Sequence, residues 1–161
     1  MKIEVYPDAG MVARRAAEII ATDALASIAS QGRFILAGSG GRTQWLMLRA
    51  LATEQIPWEN THVVQVDERV APIGDPDRNF AHLRESLLDH APLPPNHVHT
   101  MTVEAPDLDR AAQQYAEALM RLRDRDPSIP AFGVRHDRAL LLADRRAAAQ
   151  LDMGENLETQ R

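Results

Sequence analysis

The stretch FILAGSGGRTQWLMLRAL, residues 34–51, joins an apolar run, a glycine-rich turn and a helical pattern without a break. GRFILAG reads as a short buried strand that starts after Gly32, SGGRT (residues 39–43) as the turn that follows, and the helix begins at about Thr43. Strand, turn and helix in that order form half of a strand–helix–strand unit. Whether the unit repeats on either side decides the fold class.

It does repeat. Upstream, KIEVY alternates Ile3 and Val5 with polar neighbours and predicts a first strand, which PDAG ends. Asp8 is placed to cap a long helix from Ala9 to Ser30, where Val12, Ala16, Ile20, Ala24 and Ile28 recur every four residues. The helix after the glycine turn is predicted to reach about Thr53. Downstream, THVVQVDER brings the β-branched Val63, Val64 and Val66 and predicts another strand. APIGDPDR is a loop. A helix is predicted over about Asn79 to Asp89, a short strand in HVHTM, and an amphipathic helix capped by Asp107, with Leu108, Ala111, Ala112, Tyr115, Leu119 and Leu122 inward.

This alternation predicts an α/β fold: a three-layer, Rossmann-like parallel sheet with helices on both faces and right-handed crossovers. Residues 1–130 are expected to form that domain and 131–161 a divergent tail. The tail starts like a strand at Ala131 to Val134, and propensity predicts a helix from about Arg138 to Leu151.

With 161 residues, 45% hydrophobic and 25% charged, the chain has the composition of one globular domain with a real core. A net charge of −5 disfavours nucleic acid and anionic membranes as partners. The absence of cysteine excludes disulfides and thiolate metal sites and fits the cytoplasm. The N-terminus carries no long apolar signal-like run. None of the six histidines shows metal-ligand spacing, and His97 and His99, two apart, are expected on opposite sides of a strand. Neither a metal nor a cofactor is expected.

A glycine turn between strand and helix gathers free backbone N–H groups at the positive end of a helix dipole, which suits an anion. Ser39 and Thr43 add hydroxyls and Arg42 a charge. No Gly-Lys-Ser/Thr follows, and the third glycine of a dinucleotide fingerprint is missing. The turn by itself reads either as an anion site or as a tight turn with no ligand. Asp67, Glu68 and Arg69 end the next strand, at the edge where parallel sheets bind ligands. Seen alone, they read as an ordinary loop ion pair.

Taken in order, ILAGSGGRTQWLMLRALA, then IPWENTHVVQVDERVAPIGDPDRNFAHLRESLLDHAPLPPNHVH, then YAEAL resemble the 6-phosphogluconolactonase family of the glucosamine-6-phosphate deaminase/isomerase superfamily. Gln44 stands where the family usually has proline. The resemblance covers about residues 1–130 and implies hydrolysis of 6-phospho-glucono-1,5-lactone in the oxidative pentose phosphate pathway. It implies that Ser39, Gly40, Gly41, Arg42 and Thr43 hold the phosphate, that Arg69 helps hold the substrate and that Asp67 lines the pocket. Arg69, where deaminases usually have tyrosine, together with the Asn79 helix favours the lactonase branch over the amino-sugar branch.

The family pattern continues into Gly-x-Gly-x-Asp-Gly-His-x-Ala-Ser, whose histidine is the expected base. That motif is absent from the 161 residues, and AFGVRHDRALLLADRRAAAQ, residues 131–150, stands in its place. No catalytic role passes to His136. Relative to the family the chain is expected to be truncated or frame-altered, with a sheet incomplete at the C-terminus. Self-association through an exposed sheet edge is expected, and a catalytically inactive phosphosugar-binding module is the alternative to an active hydrolase.

Overall fold

A strand that buries alternate residues needs a cover on each face, and the helices on either side of each strand supply it. The structure is a computed structural model that describes residues 2–124, 140–144 and 157–159. Six strands are β1 (Lys2–Tyr6), β2 (Phe34–Gly38), β3 (Thr61–Gln65), β4 (Val98–His99), β5 (Leu140–Asp144) and β6 (Leu157–Thr159). Four helices are α1 (Ala9–Gln31), α2 (Arg42–Leu51), α3 (Asn79–Leu83) and α4 (Leu108–Asp124). All described pairings are parallel, in two three-stranded ladders ordered β5-β1-β6 and β2-β3-β4. The α/β class and the parallel pairing therefore agree with the sequence pattern, although the described strands divide into two ladders.

Helix α1 starts on Asp8, whose carboxylate accepts from Met11 N at 2.8 Å. It ends at Gly32, which takes the left-handed conformation (φ 78°) while its N–H bonds Ile28 O at 2.8 Å. Its buried stripe is Val12, Ala13, Ala17, Ala21 and Ala24. Of the expected Val12–Ile28 series, Val12 and Ala24 lie in this stripe, and Ala16, Ile20 and Ile28 are half-buried.

Beneath α1, α2 and α3, one face of β2 and β3 is closely packed. Leu36, Leu48, Leu51, Trp58, Val63, Leu83 and Leu87 join the α1 alanines in a single core. The helix expected over Asn79 to Asp89 is α3 followed by a π-helical turn, Arg84–Leu88, with Asp89 N donating to Arg84 O at 3.0 Å.

On the opposite face lies α4. Asp107 caps it as expected, accepting from Arg110 N at 2.9 Å. Its apolar side stands over a cavity of about 600 Å³ floored by Ile35, Ala37, Val64 and Val66. Tyr115, Leu119 and Leu122 are thus half-buried rather than packed, and Leu108 is exposed.

The helix expected over about Arg138 to Leu151 is overturned at residues 140–144, which form β5 beside β1 in register Lys2↔Leu140 to Tyr6↔Asp144. An unpaired β1 edge selects extended backbone in a Leu-rich run whatever its helix propensity. The rest of that expected helix, and the strand start at residues 131–134, lie outside the described residues.

Candidate functional site

Parallel strands end together, so whatever follows β2 meets whatever follows β3. Gly38 pairs with Gln65, and Val66 N reaches back to Gly38 O at 2.8 Å. The glycine turn and the Asp67–Arg69 segment are thereby neighbours.

Asp67 sits in the turn as an internal anion. Ser39 Oγ donates to Asp67 Oδ1, and Asn79 Nδ2 donates to Asp67 Oδ2 at 3.0 Å and to its backbone oxygen at 3.1 Å. Arg69 Nη1 stands 3.5 Å from Oδ2. The Ser39 hydroxyl, then Asn79, Arg69 and the Gly40 N–H, hold the Asp67 carboxyl below the usual carboxylate range against partial burial. Two donors of the turn are therefore already engaged by the chain's own carboxylate.

Turn geometry requires its glycines. Gly41 has φ 132°, which side chains rarely adopt. A Cβ on Gly40 would overlap Asn79 Oδ1 and lie 2.8 Å from Asn79 Cγ. Gln44 closes the turn from the α2 side: in the amide orientation that satisfies both groups, it accepts from Ser39 N at 2.7 Å and donates to Ser39 O at 3.2 Å. Arg42 and Thr43 open α2 and are exposed.

Glu68 turns the other way. Its side chain is fully buried, whereas Asp67 and Arg69 are half exposed. Oε1 accepts from Arg69 N (2.8 Å) and Asn79 N (2.7 Å); Oε2 accepts from Phe80 N (2.9 Å) and Gln65 Nε2 (3.0 Å). The Arg78 guanidinium is 3.7 Å away and also pairs with Glu104 at 3.3 Å. Burial opposes the charged form of Glu68, but the donors outweigh it and hold the carboxyl below its ordinary value. Glu68 thus ties β3 to the start of α3, and Asn79 bonds both acids. Glu68 is expected at this strand end with Asp67 and Arg69, but neither it nor Asn79 belongs to the expected substrate-binding set. Alternation continued past Gln65 would have turned residue 68 away from 67 and 69.

Beside this cluster a cavity of about 460 Å³ is lined by Gly41, Trp45, Arg69, Asp75, Asp77, Asn79 and His82 among others. Gly41 and Arg69 are the members of the expected set on its wall. Trp45 and His82 stack with centroids 3.7 Å apart and planes at 23°.

The histidines differ from expectation. His97 ends a 3-10 turn rather than entering a strand, so it and His99 do not alternate. Both meet His62, at centroid distances of 4.0 and 5.4 Å, with His62 Nδ1 3.2 Å from His99 Nε2. Burial and then His97 push the His99 imidazole below its ordinary value. Among the described residues no group of three or more histidines and acids is arranged to hold a metal ion, and no helix is long and apolar enough to cross a membrane.

Residues 7–136 match the family model described as glucosamine-6-phosphate isomerases/6-phosphogluconolactonase. A protein named 6-phosphogluconolactonase from Mycobacterium tuberculosis is 32% identical over 123 residues, covering 73% of this chain and 50% of that protein. The solved 6-phosphogluconolactonase of Thermotoga maritima superposes with a TM-score of 0.70 at 24% identity, over 76% of this chain and 55% of the other. A monomeric glucosamine-6-phosphate deaminase superposes at 0.66 and 21% identity, over 76% and 51%. Both solved structures support the fold. The chain spans about half the length of the curated 6-phosphogluconolactonases it matches.

Proposed function

The chain belongs to the glucosamine-6-phosphate isomerase/6-phosphogluconolactonase family, and on that premise we propose that it carries the phosphosugar-binding half of a 6-phosphogluconolactonase site. The substrate is a 6-phosphorylated glucono-lactone, and the reaction class is hydrolysis of a cyclic carboxylic ester. The observation that carries this reading is the polar cluster around Asp67, where two parallel strands end. It ties the turn to Asn79, with exposed Arg42 and Thr43 at the start of α2 beside it, and with Gly41 and Arg69, which also pairs with Asp67, on the cavity wall.

Ser39 and Gly40 orient Asp67, while the Gly41 N–H, the Thr43 hydroxyl and the Arg42 and Arg69 guanidinium groups bind the phosphate. The α2 dipole favours the same charge. Fixing the phosphate places the lactone carbonyl at a set distance from it, within the cavity lined by Asn79 and His82. Water attack on that carbonyl expels the ring oxygen, which takes up a proton. A positioned general base is worth about 10²–10⁴-fold in such a step, and no residue of this chain is assigned to it. A cytoplasmic setting accompanies this reading, as does association of copies through a sheet edge, for example that of β4, which ends its ladder among the described residues.

A second reading is a binding module without turnover. The absence of the Asp-Gly-His motif from the sequence favours it. One paired measurement separates the two: lactone loss at a pH where spontaneous hydrolysis is slow, and 6-phosphogluconate binding by calorimetry. Turnover above background supports the hydrolase, and binding without turnover supports the module. Absence of both rejects the phosphosugar reading.

A further inference from the structure

The wall of the strand-end cavity carries an aromatic pair that the phosphate contacts leave unused. Trp45 lies one turn into α2 and His82 one turn into α3, so each projects from a helix whose start belongs to the polar cluster. Their rings stack, and both line the cavity that Gly41 and Arg69 also line. His82 stacks on one face of the indole, and Trp45 is half-buried beside the cavity. Trp58, by contrast, is 5% exposed within the core and serves packing.

An apolar ring surface beside a site for a charged group matches a ligand with the same division. A pyranose 6-phosphate is such a ligand: its anion lies at one end and its ring presents C–H groups on a flat face. An open-chain phosphosugar has the same anion without the face. We propose that Trp45, held by His82, is a specificity-determining wall that recognises the closed sugar ring. The site would then prefer cyclic phosphosugars to open-chain ones. The inference rests on the phosphosugar reading and adds to it a basis for favouring the closed lactone over its hydrolysed product.

Calorimetric titration with three probes tests it: glucose 6-phosphate as the closed ring, 6-phosphogluconate as the open chain, and inorganic phosphate. Trp45→Ala is expected to weaken glucose 6-phosphate by about fivefold, in the range of an aromatic contact. It should leave the other two probes within about twofold, while Trp45→Phe retains most of the ring preference. Glucose 6-phosphate should also change the tryptophan emission of the wild type and not that of Trp45→Phe. Equal weakening of all three probes in Trp45→Ala would show that the indole only supports the turn and would overturn the proposal. Unchanged glucose 6-phosphate affinity in Trp45→Ala overturns it as well, and leaves the phosphosugar reading intact. A wild type that binds none of the three removes both.

Discussion

Strand β3 borders two regions built on opposite terms. At its carboxyl end lies the Asp67–Glu68–Asn79 cluster, polar and densely bonded. Along one side lies the groove under α4, apolar and loosely covered. Gln65 belongs to both: its side chain donates to Glu68 and accepts from Met101 N at 2.8 Å, and its backbone oxygen accepts from Tyr115 at 2.6 Å. The contrast teaches where this fold tolerates change. Hydrogen bonds are directional, so a cluster of them fails when one partner changes. An apolar side chain over empty space has few contacts to lose.

The largest effect is expected from Glu68→Gln. An amide can accept at one oxygen, but its NH₂ then faces Phe80 N–H and the Gln65 amide, while Arg78 loses a buried counter-charge. Breaking a buried charged network of this kind costs about 3 kcal/mol, a large part of the total stability of a small domain. Denaturant unfolding should show that loss. The same carboxyl sets a pH limit. Because its folded value is lowered from 4.5, its contribution is complete above that pH. It is lost as pH falls toward the lowered folded value. The stability gap between wild type and Glu68→Gln should therefore narrow on acidification below about 4.5; a gap independent of pH would mean that the carboxylate charge is not what holds the loop.

Next comes Gly40→Ala. Its Cβ would collide with Asn79, which is tethered to Asp67 and cannot simply rotate away. Overpacking of this sort costs about 1–3 kcal/mol. Here it should also reduce phosphosugar affinity, since the same shift moves the turn. Retained affinity together with lost stability would separate the cluster's structural role from binding.

Tyr115→Phe probes the junction from the groove side. It removes one hydrogen bond to Gln65 O and leaves the ring, so about 1 kcal/mol is expected. Burial raises the Tyr115 hydroxyl above its ordinary value despite its bond to Gln65, so it is protonated and donating at neutral pH.

How much of this was legible in the sequence follows the same division. Periodicity exposed the strands, the helices and the meeting of the two strand ends, because alternation and the 3.6-residue turn are local properties. Asp8 and Asp107 were legible as caps for the same reason. The pairing of β5 with β1 joins residues more than 130 positions apart, and local propensity pointed to a helix there. The direction of Glu68 depends on which donors surround it, and those come from α3. Asp67 was legible as a site residue, but its seat inside the turn was not, since that needs Asn79 to arrive from the far side of a loop.

The smallest effect is expected at Leu119, and it decides whether the groove is as open as its geometry shows. A leucine that fills a closed core costs about 2–5 kcal/mol when cut to alanine, and Leu51, with none of its surface exposed, belongs to that class. Leu119 borders a space of about 600 Å³, so truncation enlarges an existing gap instead of creating one. The loss is then mainly that of a half-buried side chain, under about 1 kcal/mol. Equilibrium unfolding of Leu51→Ala and Leu119→Ala in one denaturant series makes the comparison. A Leu119 value near that of Leu51 would mean that α4 is closely packed in solution, with the apolar face of β2 and β3 covered as tightly as the core face.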